Sequence, residues 1–161
     1  MIKILNDIDI TPLLNFYNDN ESNFVWTEFG STSKQVGLQY KIDEDPWTSA
    51  VGKSKGQELT YTELNPFFKD SPFEEVINQY NLKRTRLMLM GPKSCYSMHS
   101  DETPRIHIPL ITNEQCFFVF KFGLARHVPA GKVTWVDTTK DHTAMNGSDF
   151  WRLHFVGITQ S

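Results

Sequence analysis

All five histidines of the chain fall after residue 98: His99, His107, His127, His142 and His154. The first stands in His99-Ser100-Asp101. Residues two apart in an extended segment project to the same side, so this imidazole and this carboxylate can grip one cation. The same pair also arises by chance in surface loops. His142 follows Asp101 by 41 residues, just past the strand-like KVTWVD. A folded barrel can return it to the pair. Two imidazoles and one carboxylate on one face of an octahedron leave three positions open, the arrangement favoured by non-haem Fe(II) oxygenases. The plainer reading of His142 is a turn cap shared with Asp141.

Two further segments carry an Arg-x-His. In the strand-like run 151–158, Arg152, His154 and Val156 share one face, while Trp151, Leu153 and Phe155 take the other. In 105–111, Arg105 and His107 oppose Ile106, Ile108 and Leu110. If the polar faces point into a barrel, each guanidinium needs a counter-charge, because an unpaired buried cation costs several kcal/mol. An anionic ligand would supply it, and the planar fork of Arg matches a carboxylate. If they point outward, they are ordinary solvated faces.

The elements that would position these residues are mostly short strands. Runs 84–90, 105–111, 116–122, 132–137 and 151–158 alternate and are separated by turn residues, which predicts an all-β sandwich or barrel of the jelly-roll kind. An earlier strand is predicted over 36–42. One or two short helices would pack outside. The first runs from Thr11 to Tyr17, with Thr11 as cap and Pro12 at the first helical position. The second covers about 72–80, opened by the capping box Ser71-Pro72-Phe73-Glu74. Segment 43–56 has turn chemistry and reads as a mobile loop.

The 161 residues leave room for one domain over 1–161, with a helical and loop-rich support over 1–82 and a β core over 83–161. Aromatic residues make up 13% of the chain, which argues against disorder. The net charge of −3 gives no basic footprint for nucleic acid. No apolar run is long enough to span a bilayer, and the polar residues of MIKILNDIDI argue against a signal peptide. Two cysteines make no disulfide framework, so a reducing cytoplasm is the default.

With these residues in place, the run from Arg86 to Gly157 resembles the aspartyl/asparaginyl β-hydroxylase branch of the 2-oxoglutarate and Fe(II)-dependent dioxygenases. The matching stretches are RLMLMGPKSCYSMHSDETPRIHIPL, HVPAGKVTWVDTTKDHTAMN and WRLHFVG. The family pattern joins a strand ending in Gly-Pro or Pro-Gly, a His-x-Asp or His-x-Gly, an Arg-x-His strand, a Gly-containing turn into an aspartate-bearing strand, a His-x-x-x-Asn, and an Arg ten residues past the distal His. Arg152 is ten past His142. The resemblance implies a double-stranded β-helix, cupin-like in shape. It implies His99, Asp101 and His142 as the catalytic iron ligands. Arg152 would bind the distal carboxylate of 2-oxoglutarate, and Arg105 and His107 would hold the end nearer the metal. Asn146 would fix the turn that presents His142.

The expected activity is hydroxylation of an aspartyl or asparaginyl-type residue, in a polypeptide or as a free amino acid. Fe(II), 2-oxoglutarate and O2 would be consumed or required, with succinate and CO2 as co-products. The competing class is a non-catalytic β-barrel binding module that keeps the fold. A cupin-type isomerase or dioxygenase ranks last, since the chain has no His-x-His. Arg86 could face the pocket, Cys95 could lie near the metal, and Trp26 and Trp47 could line a substrate cleft; each also reads as ordinary packing.

Overall fold

The computed structural model describes residues 1–160, so Ser161, the last residue of the expected domain, lies outside the described residues. In chain order the elements are β1 (Ile2–Asp7), α1 (Thr11–Asn20), β2 (Thr27–Phe29), β3 (Ser33–Gly37), β4 (Gln39–Tyr40), β5 (Glu63–Leu64) and α2 (Pro72–Tyr80). Then come β6 (Leu82–Met90), β7 (Ser94–Cys95), β8 (Arg105–Ile111), β9 (Cys116–Phe120), β10 (Ala125–Arg126), β11 (Lys132–Val136), β12 (His142–Asn146) and β13 (Arg152–Thr159). A seven-stranded sheet has the order β1-β11-β8-β13-β6-β3-β2, and a four-stranded sheet the order β10-β9-β12-β7. The fold is mainly β and of the jelly-roll kind.

The alternation of β8 and β13 decides how the layers stack. Both strands sit in the middle of the large sheet, so both of their faces are buried. Ile106, Ile108, Leu110, Leu153 and Phe155 join the main apolar core with Leu13 and Tyr17 of α1 and Phe73, Val76 and Ile77 of α2. Directly opposed residues of an antiparallel pair share a face. Arg152, His154 and Val156 oppose Met90, Met88 and Arg86 of β6, and Gln35 of β3 opposes Met88. This second face looks toward the small sheet, where Phe118 lies 4.7 Å from the His107 ring. The polar rows of both Arg-x-His strands therefore point into the barrel.

Residues before 82 do more than support that core. β1, β2 and β3 complete the large sheet. The run expected as one strand over 36–42 divides at Leu38, and β4 pairs with β5 in a sheet of its own. Gly37 sits at the division because a Cβ there would meet the Trp47 carbonyl oxygen at 2.8 Å, while its N–H donates to that oxygen at 3.0 Å. The 43–56 segment, expected to be mobile, is thereby tied to β3. It is held again at Asp45, whose Oδ1 accepts from the backbone of Trp47 and Thr48, and at Trp47, which packs on Phe24, Phe67 and Phe68. Trp26 joins the same aromatic cluster, so both tryptophans serve the core.

Helix α1 differs in its start and length. Its cap position is Ile10, and Asp9 rather than Thr11 supplies the side-chain oxygen, accepting the Thr11 N–H at 3.0 Å. It runs on to Asn20. Helix α2 matches its sequence signal: the Ser71 hydroxyl accepts the Glu74 N–H, Pro72 opens the helix, and Asn81 closes it in the left-handed region at φ 50°. No described helix is long and apolar enough to cross a membrane.

Phe73 is fully buried and packs edge-on against Phe155 with ring centroids 5.2 Å apart, joining α2 to the central strand. Phe73→Ala is expected to cost about 3–5 kcal/mol of folding stability, the usual range for an emptied aromatic core site. Urea unfolding checks it; a loss below 1 kcal/mol would mean that this seam does not couple helix to sheet.

Candidate active site

β12 carries no strand signal in its own sequence, and it is the element that builds the site. His142 opens it, and His99 lies alongside as an isolated antiparallel bridge partner. The His99 N–H donates to the His142 carbonyl at 3.0 Å, and the His142 N–H donates to the His99 carbonyl at 2.8 Å. The Asp101 N–H donates to the Thr138 carbonyl at 2.8 Å, and the Thr138 hydroxyl donates to the Thr103 carbonyl at 2.9 Å. Main-chain bonds thus lace segment 99–103 to segment 138–142. One ligand atom from each of His99, Asp101 and His142 lies within 4.8 Å of the other two.

The imidazoles are oriented by their other nitrogens. His99 Nδ1 lies 2.7 Å from the Ser97 carbonyl and His142 Nδ1 lies 2.9 Å from the Lys140 carbonyl. A carbonyl oxygen only accepts, so each Nδ1 carries the proton and each Nε2 is left with its lone pair. Burial lowers the His142 pKa and favours the neutral, ligating form. Asp101 Oδ2 stands 3.9 Å from His142 Nε2, while Oδ1 is 3.3 Å from Arg105 Nη2. Two imidazoles whose Nδ1 atoms are turned onto carbonyls, and one carboxylate, fit a divalent ion of the Fe(II) type.

Arg105 behaves differently from what its sequence context implied. Its guanidinium is already bidentate on Glu58, with Nη1 2.7 Å from Oε2 and Nη2 2.8 Å from Oε1. The counter-charge sought from a ligand is built into the chain, and the expected grip on 2-oxoglutarate gives way to a brace on Asp101. Arg84 joins the same carboxylate at 2.8 Å. Burial alone would raise the Glu58 pKa, but hydrogen bonds from Arg105 and Thr103, with the charges of Arg105 and Arg84, hold it at about 2 against an ordinary 4.5. Sequence reading missed Glu58, because nothing in its turn segment signals an interior partner.

Arg152 has no such partner. It is 4% exposed, its Nε makes no hydrogen bond, and Nη1 reaches only the Met90 sulfur at 3.7 Å. Burial pushes its pKa down. It borders a packing gap too tight to admit a water molecule, beside His154, Phe118, Thr112, Cys116 and Val128. His107 and His154 meet Nδ1 to Nδ1 at 3.2 Å, and His154 Nε2 is unpartnered. Burial first, and the Arg152 charge next, drive both histidines well below their ordinary pKa, so both are neutral. Arg86 is likewise buried in the barrel, with Nη1 on Gln35 and on the Gly52 carbonyl and with Nε unpartnered.

The remaining candidates are structural. Asn146 donates to the carbonyls of Met90, Gly91 and Phe150 and accepts from Ser148, which fixes the turn between β12 and β13. His127 lies against the Cys116 carbonyl. Cys95 is exposed on β7 and is not part of the metal-capable group.

A family model described as Aspartyl/Asparaginyl beta-hydroxylase matches residues 17–157. The chain belongs to this family. The match encloses all three members of the His-Asp-His group and both Arg-x-His motifs, and it makes the protein an oxygenase of the hydroxylase type. Among solved structures, an oxidoreductase of the 2OG-Fe(II) oxygenase family from Burkholderia pseudomallei is similar at TM-score 0.55 and 13% identity. That likeness covers 89% of this chain and 75% of that one, and it supports the fold. A cupin domain from Bordetella pertussis Tohama I matches over 50% of this chain and 82% of that one, at 15% identity and TM-score 0.42. No curated protein matches the chain.

The Glu58 ion cluster has a pH signature. Because its folded pKa is depressed, its contribution is complete above about 4.5 and drains away as pH falls through about 2. Urea unfolding between pH 6 and pH 2.5 should show the wild type losing stability that Glu58→Gln never had, on the order of 3 kcal/mol in total. Parallel profiles for the two proteins would contradict this assignment.

Proposed function

We propose that this hydroxylase uses Fe(II) held by His99, Asp101 and His142, takes 2-oxoglutarate on Arg152, and hydroxylates a carboxylate-bearing aspartyl-type substrate. The observation that carries the reading is Arg152. A fully buried guanidinium without a counter-charge is too costly to keep unless an anion completes it. The neutral His107 and His154 stand beside it and add hydrogen-bonding capacity without adding charge. When bound, the iron would supply activation of O2, with oxidative decarboxylation of the cosubstrate to succinate and CO2. The protein's own share is to present two Nε2 lone pairs and one carboxylate oxygen, to anchor a dicarboxylate, and to keep the reacting space enclosed.

The charge balance supports an acidic substrate. Arg84, Arg86, Arg105 and Arg152 are all buried, and the carboxylates that face them are Glu58 and Asp101. A divalent metal and a dicarboxylate cancel each other, so two positive charges are left in the interior. Arg86 is the guanidinium still without a carboxylate, and a substrate carboxylate would satisfy it. This favours an aspartyl-type group over its neutral amide, whether in a polypeptide or as a free amino acid.

Incubation with Fe(II), ascorbate and 2-oxoglutarate should release succinate in an O2-dependent way, and His99→Ala, Asp101→Ala or His142→Ala should abolish it. Arg152→Met should raise the KM for 2-oxoglutarate by about 10–100-fold, the value of a charge-assisted contact. Absence of succinate with every acidic candidate would overturn the hydroxylase reading, and an unchanged KM for 2-oxoglutarate in an active Arg152→Met variant would overturn the assignment of Arg152. Arg86→Met should remove the stimulation of turnover by an acidic substrate while leaving substrate-free turnover intact. Equal stimulation of wild type and variant would show that Arg86 does not select the substrate.

A further inference from the structure

We infer that Glu58, far from the metal-binding segment in sequence, is a positioning residue that sets how Asp101 meets the metal. The inference rests on the reading of His99, Asp101 and His142 as a metal site. Glu58 opens a single 3-10 turn (Glu58–Thr60) and is 3% exposed. Its Oε1 accepts from Arg84 Nη1 and Arg105 Nη2, both at 2.8 Å. Its Oε2 accepts from Arg105 Nη1 at 2.7 Å and from the Thr103 hydroxyl. That hydroxyl also accepts from Arg105 Nη1 at 2.7 Å. Arg84 is tied in turn to the Gly52 carbonyl at 3.0 Å. The Arg105 fork is therefore held in plane by Glu58 and Thr103, and Glu58 is held in turn by Arg84.

The lock matters because of what the fork does next. Arg105 Nη2 reaches Asp101 Oδ1 at 3.3 Å, which leaves Oδ2 on the side of His142 Nε2. A carboxylate with one oxygen engaged by a guanidinium presents the other alone. An ion held by one Asp101 oxygen would keep more room for further ligands than one chelated by both. Glu58 also neutralises Arg105. Without it, an uncompensated guanidinium would turn its whole fork onto Asp101, the nearest remaining carboxylate, and compete with the metal for it. The same carboxylate restrains Arg105 from acting as an anion site, which leaves the deeper Arg152 as the open anchor.

Mn(II) binding by isothermal titration calorimetry, with no turnover involved, tests this. Glu58→Gln keeps the shape and loses the charge, and it should weaken Mn(II) binding by about 10–100-fold, the usual cost of losing a partner behind a metal ligand. Thr103→Val, which removes only the hydroxyl between Glu58 and Arg105, should weaken it in the same direction by less. The double variant Glu58→Gln/Arg105→Met should bind Mn(II) more tightly than Glu58→Gln alone, because the stray cation is gone with its anion. A purely structural role would predict the opposite order, with damage accumulating. Folded Glu58→Gln and Thr103→Val proteins that bind Mn(II) as tightly as wild type would overturn the inference. Should Glu58→Gln fail to fold, Thr103→Val alone decides between weakened and unchanged binding. A wild type that binds no Mn(II) would instead overturn the metal-site reading on which this one depends.

Discussion

The reciprocal main-chain pair between His99 and His142 is the interaction on which the rest of this site depends. Two N–H···O=C bonds, 3.0 and 2.8 Å long, bring a loop residue onto the first residue of β12. Backbone bonds of this kind are indifferent to side-chain identity, so they fix position before any metal is present. Once the two chains run side by side, the imidazole centroids are 4.5 Å apart and the Asp101 carboxylate follows. The carbonyls of Ser97 and Lys140 then choose the tautomer. Main-chain contacts thus place both imidazoles and the Asp101 backbone, while the Arg105 side chain orients the Asp101 carboxylate.

Charge gives the site its second constraint. A barrel interior with four guanidiniums is expensive unless each has a partner, and the molecule treats them unequally. Arg84 and Arg105 share Glu58. Arg86 has a side-chain amide oxygen and a backbone carbonyl in place of a carboxylate, and Arg152 has a thioether and the face of the Phe118 ring. Two of these cations meet a carboxylate of the chain, and two do not. This asymmetry separates the residues that build the pocket from those that would read its contents. It also keeps His107 and His154 uncharged, since burial and the neighbouring Arg152 both oppose a further proton.

Much of this was legible in the amino-acid order, for identifiable reasons. The strict alternation of 105–111 and 151–158 gave both the strands and the faces of Arg105, His107, Arg152 and His154, because period-two patterning survives any tertiary context. Ser71-Pro72-Phe73-Glu74 marked α2 because its cap is a local contact. The orientation of the polar faces was not legible, since an inward arginine row and a solvated one have the same pattern. β12 was hidden because HTAMN is short and lies between turn residues, and its strand character comes from pairing with β9. Glu58 was invisible for the same kind of reason. Its role exists only where the chain brings residues 58, 84, 103 and 105 together.

The proposed chemistry requires that His99, Asp101 and His142 converge on a single divalent ion with Arg152 poised to take a dicarboxylate beside it. A crystal structure with Mn(II) and 2-oxoglutarate under anaerobic conditions tests it most directly. The account predicts one ion bound by both Nε2 atoms and one Asp101 oxygen, with the far carboxylate of 2-oxoglutarate on the Arg152 guanidinium. An ion bound away from these three residues, or a dicarboxylate that leaves Arg152 unpaired, would contradict it.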